Sequence, residues 1–371
     1  ETVNSNIARI DYSNNANGAL LLEPQSTNLL LQSNQFDNTW INSGTSVTSG
    51  YLGLDGTNSA WLLTKGANGS ENTRQNITFS GIHTFSVYLK KGTNTSAVIR
   101  STGGNDARVE INLIDGTTSG EVNTTSIKTE SMGNDWWRCS ITFNASSNTA
   151  VRIYPEAPLG GATAGNIYIQ YSQLEENSFS TSYIPTSGTA QTRVAETCGN
   201  AGSSSSINSE EGVLYAEIAA NSNDLTLRHI SISNGTINNT IFLKYDNNSN
   251  FINASAVVEG VKVVNIYYNL VDITLIKKIA FRYKENDFSL WVNGSEVGTD
   301  TNGIVFPVNT LNKLAFDNSS GSQNFYGNTK DLRVYSTALT DEELIYLTGT
   351  LGEDYYDNYL EMSNNLNYTI Q

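Results

Sequence analysis

Aromatic rings interleaved with amide, carboxylate and guanidinium side chains carry the most evident chemistry of this chain. Trp40, Tyr51, Trp61, Trp136, Trp137 and Tyr154 fall in or beside strand-like runs, with Arg100, Asn105, Arg108 and Glu156 on runs or loops expected to neighbour them. A ring face lies flat on the C–H face of a sugar, while Asn, Glu and Arg side chains satisfy its hydroxyls. The mixture points to glycan binding, with Tyr51, Arg100, Arg108, Trp136, Trp137 and Tyr154 as the expected contacts. A sandwich core also needs large inward residues, and that is the role expected of Trp40 and Trp61. Trp136 and Trp137 are adjacent, so in a strand they face opposite ways. One can fill the core while the other meets solvent or a loop, and the alternation leaves open which.

Catalysis has less material. A glycosidase needs two carboxylates flanking the scissile bond, yet no Glu-x-Asp-x-x-Glu type run occurs, and Glu217 and Glu259 are isolated. His83 and His229 lie far apart without recognisable partners, which argues against a zinc site, a triad or a lyase centre. The expectation is a protein that is not an enzyme, with a polysaccharide hydrolase or lyase as the third reading. Asp246-Asn247-Asn248 and Asp317-Asn318 are oxygen clusters suited to calcium, and equally to turns. Cys139 and Cys198 fall in different segments, so no disulfide framework is expected.

The elements that must position these residues are short alternating runs broken by Gly, Asn, Ser and Asp, the rhythm of strands and turns. Nine strands are expected at 59–63, 73–79, 83–90, 97–101, 107–113, 127–130, 136–143, 150–154 and 167–174, which fits a jelly roll. The Gly- and Ser-rich stretch 195–210 has the composition of a connector. A second series of strands runs from 213–218 to 330–335. Within it Asn293-Gly294 supplies the positive φ angles of a type I′ hairpin, and Thr340 with Glu343 forms a capping box that starts a short helix. The fold class is therefore all-β, two antiparallel β-sandwich (jelly-roll) domains in tandem with a short C-terminal helical tail. The expected boundaries are a lead-in over 1–27, a first sandwich over 28–194, a linker over 195–210, a second sandwich over 211–349 and the tail over 350–371.

Charge narrows the partners. With 36 acids against 21 bases the formal net charge is −15, and no basic stripe stands out to neutralise phosphates, so nucleic acid is not expected. No run approaches the ~20 apolar residues of a membrane span, and Lys277 and Lys278 interrupt the most apolar region. The chain begins at Glu1 without a signal peptide, which reads as a processed or truncated piece of something longer.

Two sets of motifs carry a resemblance. Residues 19–30, which include Glu23, Pro24 and Asn28, lead into Gln35, Phe36, Asp37 and Trp40 and resemble the opening of a domain found in bacteriophage tail and other virion surface proteins. Gln173, Leu174, Glu175 and Glu176, then Thr181, Ser182, Tyr183, Ile184, Pro185 and Thr186, up to Thr192 and Arg193, resemble its end. The similarity spans about 7–196, and that family is similar in turn to the jelly-roll carbohydrate-binding modules of bacterial polysaccharide-degrading enzymes. The later stretch resembles laminin-G-like, concanavalin A-like sandwiches through residues 290–294, 325–327 and 331–344. The resemblance implies binding of glycans or proteins and a setting on a virion surface or outside cells. It also implies a structural calcium joining the first strand region to the last, with Asp37 and Glu175 or Glu176 as ligands, beside the separate Asp317 cluster. The combined expectation is a non-catalytic, phage-derived adhesin. It would recognise a bacterial or algal polysaccharide, a glucan or another neutral or cell-surface glycan, as a homo-oligomer or with other virion proteins. The alternative is a structural tail or fibre component that binds no glycan.

Overall fold

The computed structural model describes residues 8–12, 17–69 and 71–349, so the helical tail expected over 350–371 lies outside the described residues. Two short strands, β1 (Ile10–Asp11) and β2 (Ala19–Leu22), precede Pro24. There follow β3 (Ser26–Asn28), β4 (Ile41–Ser43), β5 (Thr45–Tyr51), β6 (Ala60–Lys65), β7 (Asn72–Lys91), β8 (Ser96–Thr102) and β9 (Ala107–Asn112). Next come β10 (Thr118–Val122), β11 (Thr124–Gly133), β12 (Trp136–Tyr154), β13 (Gly165–Glu175) and β14 (Gln191–Arg193). The chain forms two compact units. Among the described residues, one is Pro24–Ala195, and the other combines those that precede Pro24 with Glu196–Gly349. The stretch expected as a lead-in is thus divided between them.

In the first unit, the pairs of runs expected at 73–79 and 83–90, and at 136–143 and 150–154, are each one long strand, β7 and β12. Both strands pass from one layer of the sandwich to the other. Their first-layer halves pair with each other from Thr73↔Ile153 to Phe79↔Asn148, and with β4 and β8 on either side. Their other halves pair from Gly81↔Ala145 to Lys90↔Trp136, flanked by β13 and β11. The change of layer falls where Gly81 and Ser147 take positive φ angles of 93° and 58° and the register shifts, a bulge that turns a strand without breaking it. Ile99, Val109, Val151 and Ile153 from one layer meet Leu63, Phe85, Val87, Ile141 and Leu174 from the other in a single buried core. Trp40 and Trp61 belong to it as expected, with their indole N–H groups donating to the carbonyls of Gln32 (2.7 Å) and Asn34 (2.8 Å).

A buried polar clasp closes this unit. Asn28 donates from Nδ2 to the carbonyls of Ile184 (2.8 Å) and Ser172 (3.3 Å), and its Oδ1 accepts from the N–H groups of Leu30 and Leu174, each at 3.2 Å. Gln173 accepts from the Ile184 N–H (2.6 Å) and donates to the Thr181 carbonyl (3.2 Å). The motifs at the two ends of the unit are therefore the two halves of one hydrogen-bond network.

The second unit continues with β15 (Glu211–Ala220), β16 (Arg228–Ser233), β17 (Thr240–Tyr245), β18 (Phe251–Val258), β19 (Val261–Asn269), β20 (Lys277–Lys284), β21 (Phe288–Val292), β22 (Ser295–Asp300), β23 (Lys313–Ala315), β24 (Gly327–Tyr335) and helix α1 (Asp341–Thr348). A seven-stranded sheet in the order β1-β2-β24-β15-β20-β21-β22 and a five-stranded sheet in the order β19-β18-β17-β16-β23 share a core that includes Ile218, Leu243, Tyr245, Ile252, Phe281 and Phe325. Both local expectations hold: Asn293 and Gly294 have φ 48° and 84° at the β21–β22 turn, and Thr340 caps α1 in a complete capping box with Glu343. Residues 198–207, whose composition suggested a connector, are built into this unit: Ala201 pairs with Leu314 beside β23, and Ile207 enters the core. Arg9 bridges Glu23 (2.5 Å) and Glu196 (2.7 Å).

Replacing Asn28 with Ala strands two carbonyls and two N–H groups in a dry site. The expected loss is about 2–3 kcal/mol of stability, read as a lower urea midpoint with an unchanged m-value.

Candidate functional site

On the layer of the first unit built from β10, β9, β8, β12, β7 and β4, alternate residues of β9, β8 and β12 such as Val109, Ile99 and Val151 enter the core, and the residues between them face outward. Each of four neighbouring strands places an arginine at the same outward level. Arg108 of β9 pairs with Arg100 of β8, which pairs with Arg152 of β12, which pairs with Arg74 of β7. Val122 and Ile41 continue the register at the two ends. Asp106 takes a two-pronged ion pair from Arg100 (2.6 and 2.9 Å) and a further bond from Arg108 (3.1 Å). Its hydrogen bonds raise the pKa of Arg100 further above the ordinary value. The Tyr154 hydroxyl lies 3.5 Å from Arg100 Nη1. Arg152 donates to Thr102 Oγ1 (3.0 Å) and Asn72 Oδ1 (3.3 Å), and Arg74 donates to Ser43 Oγ (2.5 Å).

Two open grooves flank the row along the strand direction. One, about 360 Å³, is lined by Asn76, Ile77, Thr78, Thr149, Ala150 and Arg152 itself. The other, about 450 Å³, lies on the opposite side and includes Ser96, Glu110, Asn112, Thr118, Ala157 and Pro158. Its wall is the loop after β12, anchored by buried Lys65, which donates to Glu156 (2.6 Å) and to the carbonyls of Gly161 and Thr163. Partial burial opposes ionisation of Glu156, but hydrogen bonds from Lys65 and Thr163 hold its carboxyl below the usual range. Glu156 therefore acts as a loop anchor.

Of the expected contacts, Arg100 and Arg108 come together on this face, whereas Tyr154 is 6% exposed and reaches Arg100 only through its hydroxyl, so its ring offers no surface to a ligand. Tyr51 and Trp136 lie elsewhere, in a small cluster with Ala60 and Tyr88 that stands apart from the main core, where Tyr51 meets Tyr168 edge-on at 5.4 Å. Trp136 is 1% exposed, so its ring offers no surface to a ligand. Trp137 faces the other way, packs against the main core and donates to the Leu113 carbonyl (3.2 Å), covering the turn at Gly116. The two rings do point to opposite faces, and packing holds both. Calcium ligands are expected at two separate places, at Asp37 with Glu175 or Glu176 and at Asp317. Asp37 sits on an exposed turn, while Asp317 belongs to the second unit and accepts from the Ser319 N–H (2.6 Å). Glu175 is fully buried, and its carboxylate accepts from Ser26 Oγ, Thr181 N and Thr181 Oγ1. Among the described residues, no three His, Cys, Asp or Glu side chains converge. Arg74 and Arg152 were not among the expected contacts. Their signal was a single arginine between inward residues of a strand, as in Thr73-Arg74-Gln75 and Val151-Arg152-Ile153, and only the register aligns them.

Comparison with known proteins bears on the other unit. Residues 203–345 match the concanavalin A-like lectin/glucanases superfamily. The match covers less than half of the chain and corresponds to β15–β24 and most of α1, so the laminin-G-like, concanavalin A-like reading of this stretch holds. The comparison with curated protein sequences found no match. Among solved structures, the chain is similar to the carbohydrate-binding module (CBM40) of the Ruminococcus gnavus IT-sialidase, at 18% identity and a TM-score of 0.34, over 38% of this chain and 84% of that one. It is also similar to domains LG4-5 of the mouse laminin alpha1 chain, at 12% identity and a TM-score of 0.28, over 92% of this chain and 95% of that one. Xenopus laevis galectin-Ib gives 12% identity and a TM-score of 0.27, over 38% and 99%. Likenesses this low transfer no residue roles.

The two histidines have structural surroundings. His83 is 2% exposed against Phe79, and burial lowers its pKa. In the concanavalin A-like unit His229 lies edge-on to Phe242 at 5.1 Å, and burial, reinforced by Lys244, pushes its pKa from 6.5 down to about 3. The unfolded chain takes up protons at these rings below about pH 6.5, while the folded chain resists. Stability is therefore complete above that pH and falls progressively as the pH drops toward 3. Urea midpoints should decline already between about pH 6.5 and 5, before most carboxylates titrate, and His229→Gln should flatten that slope.

Proposed function

We propose that this is a non-catalytic glycan-binding protein, an adhesin displayed on a virion or other extracellular surface, and that the arginine-bearing face of its first sandwich holds a polysaccharide. The observation that carries the reading is the placement of Arg100 and Arg108 side by side between two open grooves that hydroxyl and amide side chains help to line. Open grooves suit a polymer that enters and leaves at the sides, and guanidinium forks give sugar oxygens directional donors. The match of 203–345 to a superfamily described by lectins and glucanases supports the same class of ligand. Weak binding at one site is strengthened when several copies engage one polymer, which favours an oligomer. Calcium remains a structural proposal that chelation can test.

Affinity electrophoresis of the full chain against a panel of bacterial and algal polysaccharides should show retardation by at least one. Arg100→Ala and Arg108→Ala should each weaken it about tenfold or more, the scale of a lost charge-assisted hydrogen bond, with the thermal unfolding curve as the control for folding. Retardation that falls with EDTA would support the calcium proposal. If no polysaccharide retards the chain, a purely structural virion role replaces this reading, and a rise in reducing ends would make the protein an enzyme.

A further inference from the structure

We infer that the ligand of this face is an anionic polysaccharide, one bearing carboxylate or sulfate groups, gripped along the row Arg108, Arg100, Arg152 and Arg74. The inference rests on the glycan-binding reading and adds the charge of the ligand and two further contact residues.

Three observations support it. Like charges directly opposite each other on neighbouring strands destabilise a sheet, and here four cations occupy four successive strands. Asp106 offsets only part of this, because its ion pairs reach Arg100 and Arg108. The hydrogen bonds of Arg152 and Arg74 go to neutral oxygens of Thr102, Asn72 and Ser43. Their charge is available to an arriving anion, and Arg152 lines a groove open to solvent.

The placement of charge is also specific. Twelve acids and ten bases fall between Pro24 and Ala195, so almost all of the net −15 lies outside the first unit. Six of those bases are arginines, and four of the six stand in this one row. A chain that is acidic as a whole would repel a polyanion at long range, but screening confines that repulsion to about 8–10 Å at ordinary salt, and the row itself sets four arginines against Asp106 and the neighbouring Glu110.

Geometry then selects an extended ligand. Neighbouring strands are about 4.8 Å apart, so the row spans roughly 14 Å. Arginine forks bind carboxylate or sulfate oxygens in a two-pronged manner. A polymer with repeated anionic groups can meet Arg74 and Arg152 at one end and the Asp106-braced pair at the other.

The test compares polygalacturonate, dextran sulfate, neutral dextran and single-stranded DNA with the full chain by affinity electrophoresis and calorimetry. We expect binding to one or both anionic polysaccharides, weaker by tenfold or more between about 50 and 300 mM salt, and little binding to dextran. Carboxylate or sulfate is assigned by which of the two is bound. Arg74→Gln with Arg152→Gln should reduce that affinity at least tenfold. Should the double variant fold poorly, Arg152→Gln alone and the salt dependence of the unaltered protein decide the same question. Binding of neutral glycans with no salt dependence overturns the inference and leaves the glycan-binding reading standing. Equal binding of DNA overturns it in favour of a general polyanion surface. Absence of any polysaccharide binding overturns both.

Discussion

Between Asn28 and the backbone of residues 172, 174 and 184 lies a hydrogen-bond set that has no water to replace it, because Asn28, Gln173 and Glu175 are all fully buried. A buried amide left without partners costs more than a made hydrogen bond returns. The first sandwich therefore closes completely or suffers a penalty at several atoms at once. Closure joins β3 to β13 across some 146 positions of sequence, and the loop entropy of such a span grows only slowly with its length. The intervening strands, those that carry the arginines among them, lie between the two ends that this closure joins.

The long strands β7 and β12 transmit this constraint. Each contributes to both layers, so a slip of one residue in their pairing would turn inward positions outward along the whole length. Ile99, Val151 and Ile153 in the core and Arg100 and Arg152 on the surface are two consequences of one register. The arginine row is in tension with sheet stability, since its members repel, and the fold bears it through Asp106, the neutral oxygens beside Arg152 and Arg74, and the apolar packing beneath. Binding sites commonly hold groups in arrangements that the fold alone would not favour.

Much of the architecture is legible in the residues themselves. Alternation marks most of the strands, Asn293-Gly294 marks a hairpin, and Thr340 with Glu343 marks a helix start, because each depends on local geometry. Asn28 and Gln173 are legible as parts of motifs, while their pairing across the unit is not. The site is only partly legible. Arg100, Arg108 and Tyr154 lie on consecutive or paired strands, whereas Arg74 joins them only through a partner 78 residues away, Arg152. Trp136 is buried and Tyr51 is half-buried against Tyr168, away from the arginines, and nothing local says which face the rest of the unit will cover. Asp37 and Glu175 belong to the two motif regions that the clasp joins, yet one carboxylate faces solvent and the other is taken up by Ser26 and Thr181.

Strand β2 pairs with β24, from Leu20↔Thr329 to Leu22↔Gly327, so the second unit draws an edge of its larger sheet from residues that precede the first unit. The Glu196 N–H donates to the Glu23 carbonyl at 3.0 Å, and within the first unit Arg193 of β14 pairs with Ser26 of β3. The points where the chain leaves one unit and returns to it are thus adjacent, as in a module inserted into a host fold. A direct link from Glu23 to Glu196 would leave the host sheet whole, whereas a simple cut after Ala195 would strip β24 of β2, one of its two neighbours, and expose a raw sheet edge of the kind that promotes aggregation.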